Sequence, residues 1–381
     1  MAIQKHLPVL DGIRGLAALM VMAFHYLEND AHILDHGLHQ FLHKFSTVGQ
    51  TGVDLFFVLS GFLITRILLG AKSKEKFFST FYARRAIRIW PLYYFFLILT
   101  LFLLPVLAGD AIQSFDQHWY WWAHLQNLPL AYGWDWGGPQ IYWSLAIEEH
   151  FYLVWPLLVY MLSRRQLAVT SVVLVLGSLA LRPLMLSWGV DVFYFTLTRF
   201  DALCLGALLA ILEPALLTQS TANRRLFSSL LAITFIPLLL TYTVMAGAGA
   251  TWIQVVKYPL IGLVYVALMG VAINSTHNSV LRRVFESWPL CFLGSISYGL
   301  YLYHSLCFEW FDQLISNDYP LLMMPLAFLF SAAVAYASFH LFEKPFLSLK
   351  RFFKYPQAAP AAALSAPAVM AGSNAGRQSG R

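Results

Sequence analysis

Apolar runs of about twenty residues dominate the sequence, the length an α-helix needs to cross a hydrocarbon core of about 30 Å. Ten segments qualify: 8–27, 52–69, 90–107, 141–162, 167–187, 193–212, 226–246, 253–273, 289–311 and 321–342. Composition agrees. Only 12% of the 381 residues are charged and 59% are hydrophobic, about half the charge that a water-facing domain carries. The expected fold class is all-α, a polytopic membrane bundle of about ten transmembrane helices.

The basic residues orient this bundle. With the N-terminus in the cytosol, inner-side segments hold 20 of the 25 Lys and Arg residues, the asymmetry expected of membrane topology. Both termini are then cytoplasmic. Lys44, Arg182, Arg199 and Lys257 count on the outer side, and Arg14 within the first span. No small-residue cleavage site follows the first run, so it reads as a retained span. Basic residues sit in short clusters between apolar runs, not on one polar face, which argues against a nucleic-acid partner. Cys204, Cys291 and Cys307 are widely spaced and form neither a disulfide framework nor a metal-ligand set.

Two regions are read as non-spanning. Residues 72–89 are basic and partly amphipathic, expected to lie on the cytosolic membrane surface. Residues 108–140 form the longest outer loop, without Lys or Arg but with Trp119, Trp121, Trp122, Trp134 and Trp136. Residues 1–355 make up the membrane domain, and the Ala-, Pro-, Gly- and Ser-rich tail 356–381 is expected to be disordered.

Ionisable residues inside apolar spans are costly and mark polar paths. Arg14 and His25 are eleven positions apart, which puts them on one helix face about 16 Å apart along the axis. The bland alternative pairs Arg14 with Asp11 one turn earlier. Asp54, Ser60 and Gly61 occupy the second span, where small residues also serve close helix packing. Arg84, Arg85 and Arg88 bring forked guanidinium groups to a cytosolic entrance, suited to phosphates or to anionic lipids. In YWSLAIEEHF, residues 142–151, Ser144 and Glu148 share a face, at a depth matching that of His25. A carboxylate beside an imidazole holds its tautomer, so Glu148 is expected to orient His25. Arg199, Asp201, His304 and Glu343-Lys344-Pro345, which ends the last span, complete the polar set.

In order along residues 7–346, these segments resemble the type-3 acyltransferase family of integral membrane enzymes. The blocks that match are Arg14 with His25, Asp54 with Ser60-Gly61-Phe62-Leu63, the RRAIR stretch at 84–88, Trp143-Ser144-Leu145 with Glu148, Arg199 to Leu203, the SYGLYLYH block and Glu343-Lys344-Pro345. The resemblance implies O-acylation, most often acetylation, of polysaccharide, lipopolysaccharide, peptidoglycan or another glycosylated acceptor. The donor it implies is acyl-coenzyme A from the cytosol, acetyl-coenzyme A above all, with the enzyme in the cytoplasmic membrane among its lipids. His25, Glu148 and Arg14 are then the catalytic set, and Arg85, Arg88, Arg14 and Ser60 the donor site. Asp54, Trp143, Ser144, Trp134 and Trp136 are acceptor candidates, with Trp134 and Trp136 offering indole faces to sugars or forming an interfacial belt. After the tenth predicted span only the tail remains, so transfer is direct or completed by a separate extracytoplasmic transferase. The competing class is an exporter of a small organic anion along the same polar path. Such transporters often show internal repeats, and no repeat is visible here.

Overall fold

Backbone polar groups in lipid must be satisfied within their own segment, which helices achieve. Every regular element among the described residues is helical. The computed structural model describes residues 6–29, 47–112, 114–134, 138, 140–243, 251–315 and 320–355. Trp136, the tail from 356, and Lys5, Lys44, Arg377 and Arg381 of the charge map lie outside them. The main helices are α1 (Pro8–Asn29), α2 (Gly52–Ala71), α3 (Phe77–Ile98), α4 (Trp143–Met161), α5 (Arg164–Ser187), α6 (Thr196–Ile211), α7 (Thr221–Thr243), α8 (Thr251–Asn274), α9 (Trp288–Ser295), α10 (Ser297–Leu314) and α11 (Pro320–Ser338).

Seven helical stretches among the described residues are long and apolar enough to cross a membrane: Pro8–Glu28, Thr47–Ala71, Phe77–Ala108, Arg164–Ser187, Thr221–Thr241, Trp252–Asn274 and Leu322–Phe352. Each overlaps one of the ten predicted spans, and five contain theirs whole; Thr221–Thr241 covers only part of 226–246, and Leu322–Phe352 starts one residue inside 321–342. The other three predicted spans are helical but fall short of that criterion for visible reasons. α6 has only 16 residues and is buried along most of its length. α4 carries Glu148, Glu149 and His150 in succession. The stretch 289–311 is interrupted at Ile296, between α9 and α10.

Two expectations are corrected. The basic stretch 72–89 is not a separate surface element: α3 starts at Phe77 and runs unbroken to Ile98. No glycine or proline interrupts residues 77–90, and Phe77, Phe81 and Ile89 bury one face, so Arg84, Arg85 and Arg88 stand on a helix that enters the bundle. Glu343-Lys344-Pro345 does not end the last helix either. Glu343 closes a π-helical turn at Phe339–Glu343, and a new helical segment, Lys344–Ser348, follows with Pro345 in its first turn. The helical course is continuous through Leu322–Phe352, and the π turn just before Pro345 is where the regular hydrogen-bond ladder gives way.

The centre of the bundle is a crossing of α2 and α6. A β-carbon on Gly61 would sit 1.9 Å from the Leu203 carbonyl oxygen, and one on Gly206 would sit 2.0 Å from that of Val58. Only glycine lets the two backbones approach so closely. Around this crossing lie two buried ion pairs. Arg199 Nη2 on α6 donates to Asp54 Oδ1 on α2 at 2.6 Å, and Arg182 Nη2 on α5 donates to Asp201 Oδ2 on α6 at 2.5 Å. Both arginines are fully buried, so they are held inside the bundle rather than at a surface loop. They are interior clamps that join α2, α5 and α6. The Arg199 guanidinium also lies 4.3 Å from the Tyr258 ring centroid, with Phe193, Phe57 and Trp143 at 5.2, 5.6 and 5.8 Å. These ring faces compensate part of its lost hydration.

Removing one partner of such a pair strands the other charge, at a cost of about 3–5 kcal/mol. Asp54→Leu should therefore lower the thermal unfolding temperature of the detergent-solubilised protein sharply, and Asp54→Leu/Arg199→Leu should recover part of the loss. Equal stability of Asp54→Leu and the parent would show that the pair does not clamp the bundle.

Candidate active site: a basic cavity and a histidine pair

The ends of α1, α2, α3, α4 and α10 enclose a cavity of about 570 Å³. Its entrance lies beside the exposed side chains of Lys74 and Lys354. Arg84, Arg85, Arg88 and Lys350 line it further in, and Arg14 lines it from α1. Seven basic residues thus surround one space that holds two carboxylates, Glu148 and Glu149. Most of the basic cluster comes from α3, where spacings of three and four residues put Arg84, Arg85 and Arg88 on neighbouring positions of one face. The unbroken course of α3 aims that face at the bundle.

The inner part of the cavity is a hydrogen-bonded polar network. Ser60 Oγ donates to Glu148 Oε1 at 2.8 Å and the Tyr152 hydroxyl donates to Glu148 Oε2 at 2.6 Å. The Arg85 guanidinium lies 5.7 Å from the centroid of the Tyr152 ring. Ser144 Oγ and the Tyr301 hydroxyl are 2.6 Å apart, and that hydroxyl donates to the Ile141 carbonyl. Ser60 and Gly61 have divided the two roles open to them: Gly61 packs on α6, and Ser60 faces the cavity. Arg14 also does both things expected of it, lining the cavity while its Nη1 donates to Asp11 Oδ1 at 3.2 Å.

His25 is not part of that lining. It sits against α10, one helical turn beyond Tyr301, where its Nδ1 is 3.1 Å from His304 Nε2. The same Nδ1 is 3.0 Å from the Val21 carbonyl oxygen. His304 Nδ1 faces two carbonyl oxygens, Leu300 at 3.1 Å and Tyr301 at 2.9 Å. Carbonyls only accept, so His304 carries its proton on Nδ1 and turns the Nε2 lone pair toward His25. His25 Nδ1 must then donate, to Val21 and to His304. The remaining nitrogen, His25 Nε2, has no hydrogen-bond partner among the described residues and is left with its lone pair as a base. One buried ring thereby sets the tautomer of the next.

This arrangement corrects the expected partner of His25. Glu148 is bonded to Ser60 and Tyr152 and makes no hydrogen bond to His25. The cause is helix pairing: α4 packs on α2 and α6, whereas α1 meets α10. Equal depth in two spans does not make their side chains neighbours. The acceptor candidates separate as well. Asp54 is taken up by Arg199, and Trp143 packs against Phe193 and Tyr194 with ring centroids 4.6 and 5.3 Å away. Ser144 lines the cavity. Trp134 is exposed and stacks on Tyr132 at 5.4 Å.

Among the residues of the site that escaped a functional reading of the sequence are Lys74, which read as inner-side charge, Lys350 and Lys354, which follow the expected end of the last span, and Tyr152 and Tyr301, which look like ordinary aromatic residues of apolar helices. His304 stood out as a lone imidazole in an apolar helix, but its partner did not.

A family model described as an acyltransferase domain matches residues 7–340. The chain belongs to the acyltransferase 3 family. The ordered blocks of the sequence had implied this membership. Among curated relatives, peptidoglycan O-acetyltransferase OatA of Listeria monocytogenes is 32% identical over 331 residues, which cover 79% of this chain and 49% of the relative. O-acetyltransferase OatA of Staphylococcus aureus is 28% identical over 361 residues, covering 90% of this chain and 57% of the relative. The chain spans about half the length of the curated relatives it matches. No solved structure matches it. For this member of the family, the α1–α10 contact makes a spectroscopic prediction. Nitrogen-15 histidine spectra of the membrane-embedded protein, assigned with His25→Gln and His304→Gln, should show both rings as Nδ1–H tautomers at neutral pH. An Nε2–H signature for His25 would contradict the assignment.

Proposed function

We propose that the chain is a membrane O-acetyltransferase that takes an acyl group, acetyl in the first instance, from cytosolic acyl-coenzyme A and delivers it to a hydroxyl of an extracytoplasmic glycan or lipid-linked saccharide. The observation that carries this reading is the basic cavity, which narrows to a polar network at Tyr301, one helical turn from a histidine with a free ring nitrogen. The family relationship supports the reaction class, and the names of the relatives support a glycan acceptor such as peptidoglycan. In this reading ten helices cross the membrane, α4, α6 and the pair α9–α10 among them, and both termini are cytoplasmic.

Arg85, Arg88 and Arg14 meet the diphosphate of the donor, since forked guanidinium groups bind phosphate oxygens in pairs. The pantetheine arm runs inward past Ser60, Glu148 and Ser144, whose hydroxyl and carboxylate oxygens match its amide groups. Phe56 and Tyr301, with rings 6.1 Å apart, lie between that arm and His25, so delivery of the thioester requires these rings to part. His25 Nε2 then takes the proton of the acceptor hydroxyl as general base. The hydroxyl oxygen bonds to the thioester carbon, the carbon–sulfur bond breaks, and the thiolate leaves with the proton returned by His25. If His25 first carries the acyl group as nucleophile, the same free Nε2 is required. Trp134 and Tyr132 offer an exposed stacked surface for the sugar.

A general base contributes about a factor of 10² to 10⁴ in rate. His25→Ala should abolish detectable acetylation of a glycan acceptor by the purified protein while leaving its affinity for acetyl-coenzyme A unchanged. Arg88→Ala should weaken donor affinity, with Arg88→Lys intermediate because the charge stays and the fork is lost. A fully active His25→Ala protein would end this mechanism and turn attention to export of an organic anion.

A further inference from the structure

The segment after the last long helix is held over the cavity entrance by specific contacts. Arg84 Nη1 on α3 donates to the Phe353 carbonyl at 2.9 Å and to the Lys350 carbonyl at 3.4 Å. Lys74, just before α3, lies 5.9 Å from the centroid of the Tyr355 ring. These contacts bring Lys350 and Lys354 to the cavity wall beside Lys74. Cations gathered around one space repel each other unless an anion occupies it, and within about 8 Å salt screens them little.

The cations form a sequence along the cavity. Lys74 and Lys354 are exposed at the entrance, Lys350 and Arg84, Arg85 and Arg88 are half-buried behind them, and Arg14 lies beside Ser60 and Glu148. A coenzyme A thioester inserted acyl group first has its anions in a fixed order from the inner end outward: the diphosphate, then the 3′-phosphate on the ribose. The 3′-phosphate is a monoester carrying about −1.5 to −2 charge. The arginines of α3 therefore lie at the depth of the diphosphate, and the entrance lysines Lys74 and Lys354, with Lys350 on the same segment as Lys354 just behind them, at that of the 3′-phosphate.

We propose that Lys350 and Lys354, with Lys74, form a subsite for the 3′-phosphate of the donor, and that segment 349–355 completes the donor site. The proposal rests on the reading of acyl-coenzyme A as donor. It differs from that reading in naming which end of the donor these lysines hold. They distinguish coenzyme A from its dephospho form and take no part in the chemistry.

The test compares acetyl-coenzyme A with acetyl-dephospho-coenzyme A, which lacks only the 3′-phosphate, on the full chain in lipid. The parent protein should have a KM about ten to a hundredfold lower for acetyl-coenzyme A, the size of one or two charge-assisted hydrogen bonds. Lys350→Ala/Lys354→Ala should raise the KM for acetyl-coenzyme A to that of the dephospho donor, leaving the latter and kcat unchanged. Lys350→Arg/Lys354→Arg should keep the preference, and Arg88→Ala should weaken both donors alike. Lys354→Ala alone removes only an exposed side chain, so it reads the effect without risk to folding. Equal weakening of both donors in the lysine variants, or no change in either, would overturn the subsite. A parent protein that turns over neither donor would instead refute the donor reading itself.

Discussion

Hydrocarbon offers no water to an ionisable side chain, so each such group inside the bundle needs a partner or a cavity. The interior charges of this protein divide accordingly. Asp54, Arg199, Arg182 and Asp201 neutralise one another around the α2–α6 crossing, where Gly61 and Gly206 bring the backbones together. Arg14, Arg85, Arg88 and Glu148 border a cavity. His25 donates from Nδ1 to the Nε2 lone pair of His304, so each ring partners the other. The clamps leave the remaining polar groups free to serve chemistry, because they fix the helices that carry them.

The link between the two working parts is α1. Arg14 reaches the basic cavity and His25, eleven residues on, meets α10 beyond Tyr301. One helix therefore fixes the spacing between the basic cavity and the histidine pair. In the proposed reaction that fixed spacing holds donor and base in register, and Phe56 and Tyr301, whose ring centroids are 6.1 Å apart, line the cavity on the way. Proximity of this kind supplies a large share of the rate in group transfer.

Much of this was legible in the sequence where one-dimensional periodicity carries the information. Apolar runs reveal helices, and the eleven-residue spacing of Arg14 and His25 depends on one helix alone. The Arg84, Arg85 and Arg88 cluster was visible for the same reason. What stayed hidden depends on pairing between helices. Glu148 and His25 match in depth, yet one faces α2 and the other α10. Asp54 and Arg199 looked like separate polar points because their contact joins residues 145 positions apart. Lys350 and Lys354 looked like flanking charge because Glu343 and Pro345 signal an end to the helix, whereas a π-turn and a first-turn proline carry the chain onward to the cavity.

In the proposed reaction, donor and acceptor meet from opposite sides of the membrane. The direct measurement uses the purified protein in sealed vesicles of known orientation, with radiolabelled acetyl-coenzyme A on the face bearing Arg84, Arg85 and Arg88 and a glycan acceptor confined to the other. The account predicts labelled acceptor on the far side, with free coenzyme A released on the near side and no passage of the intact donor. Labelling only when donor and acceptor share one side would contradict it.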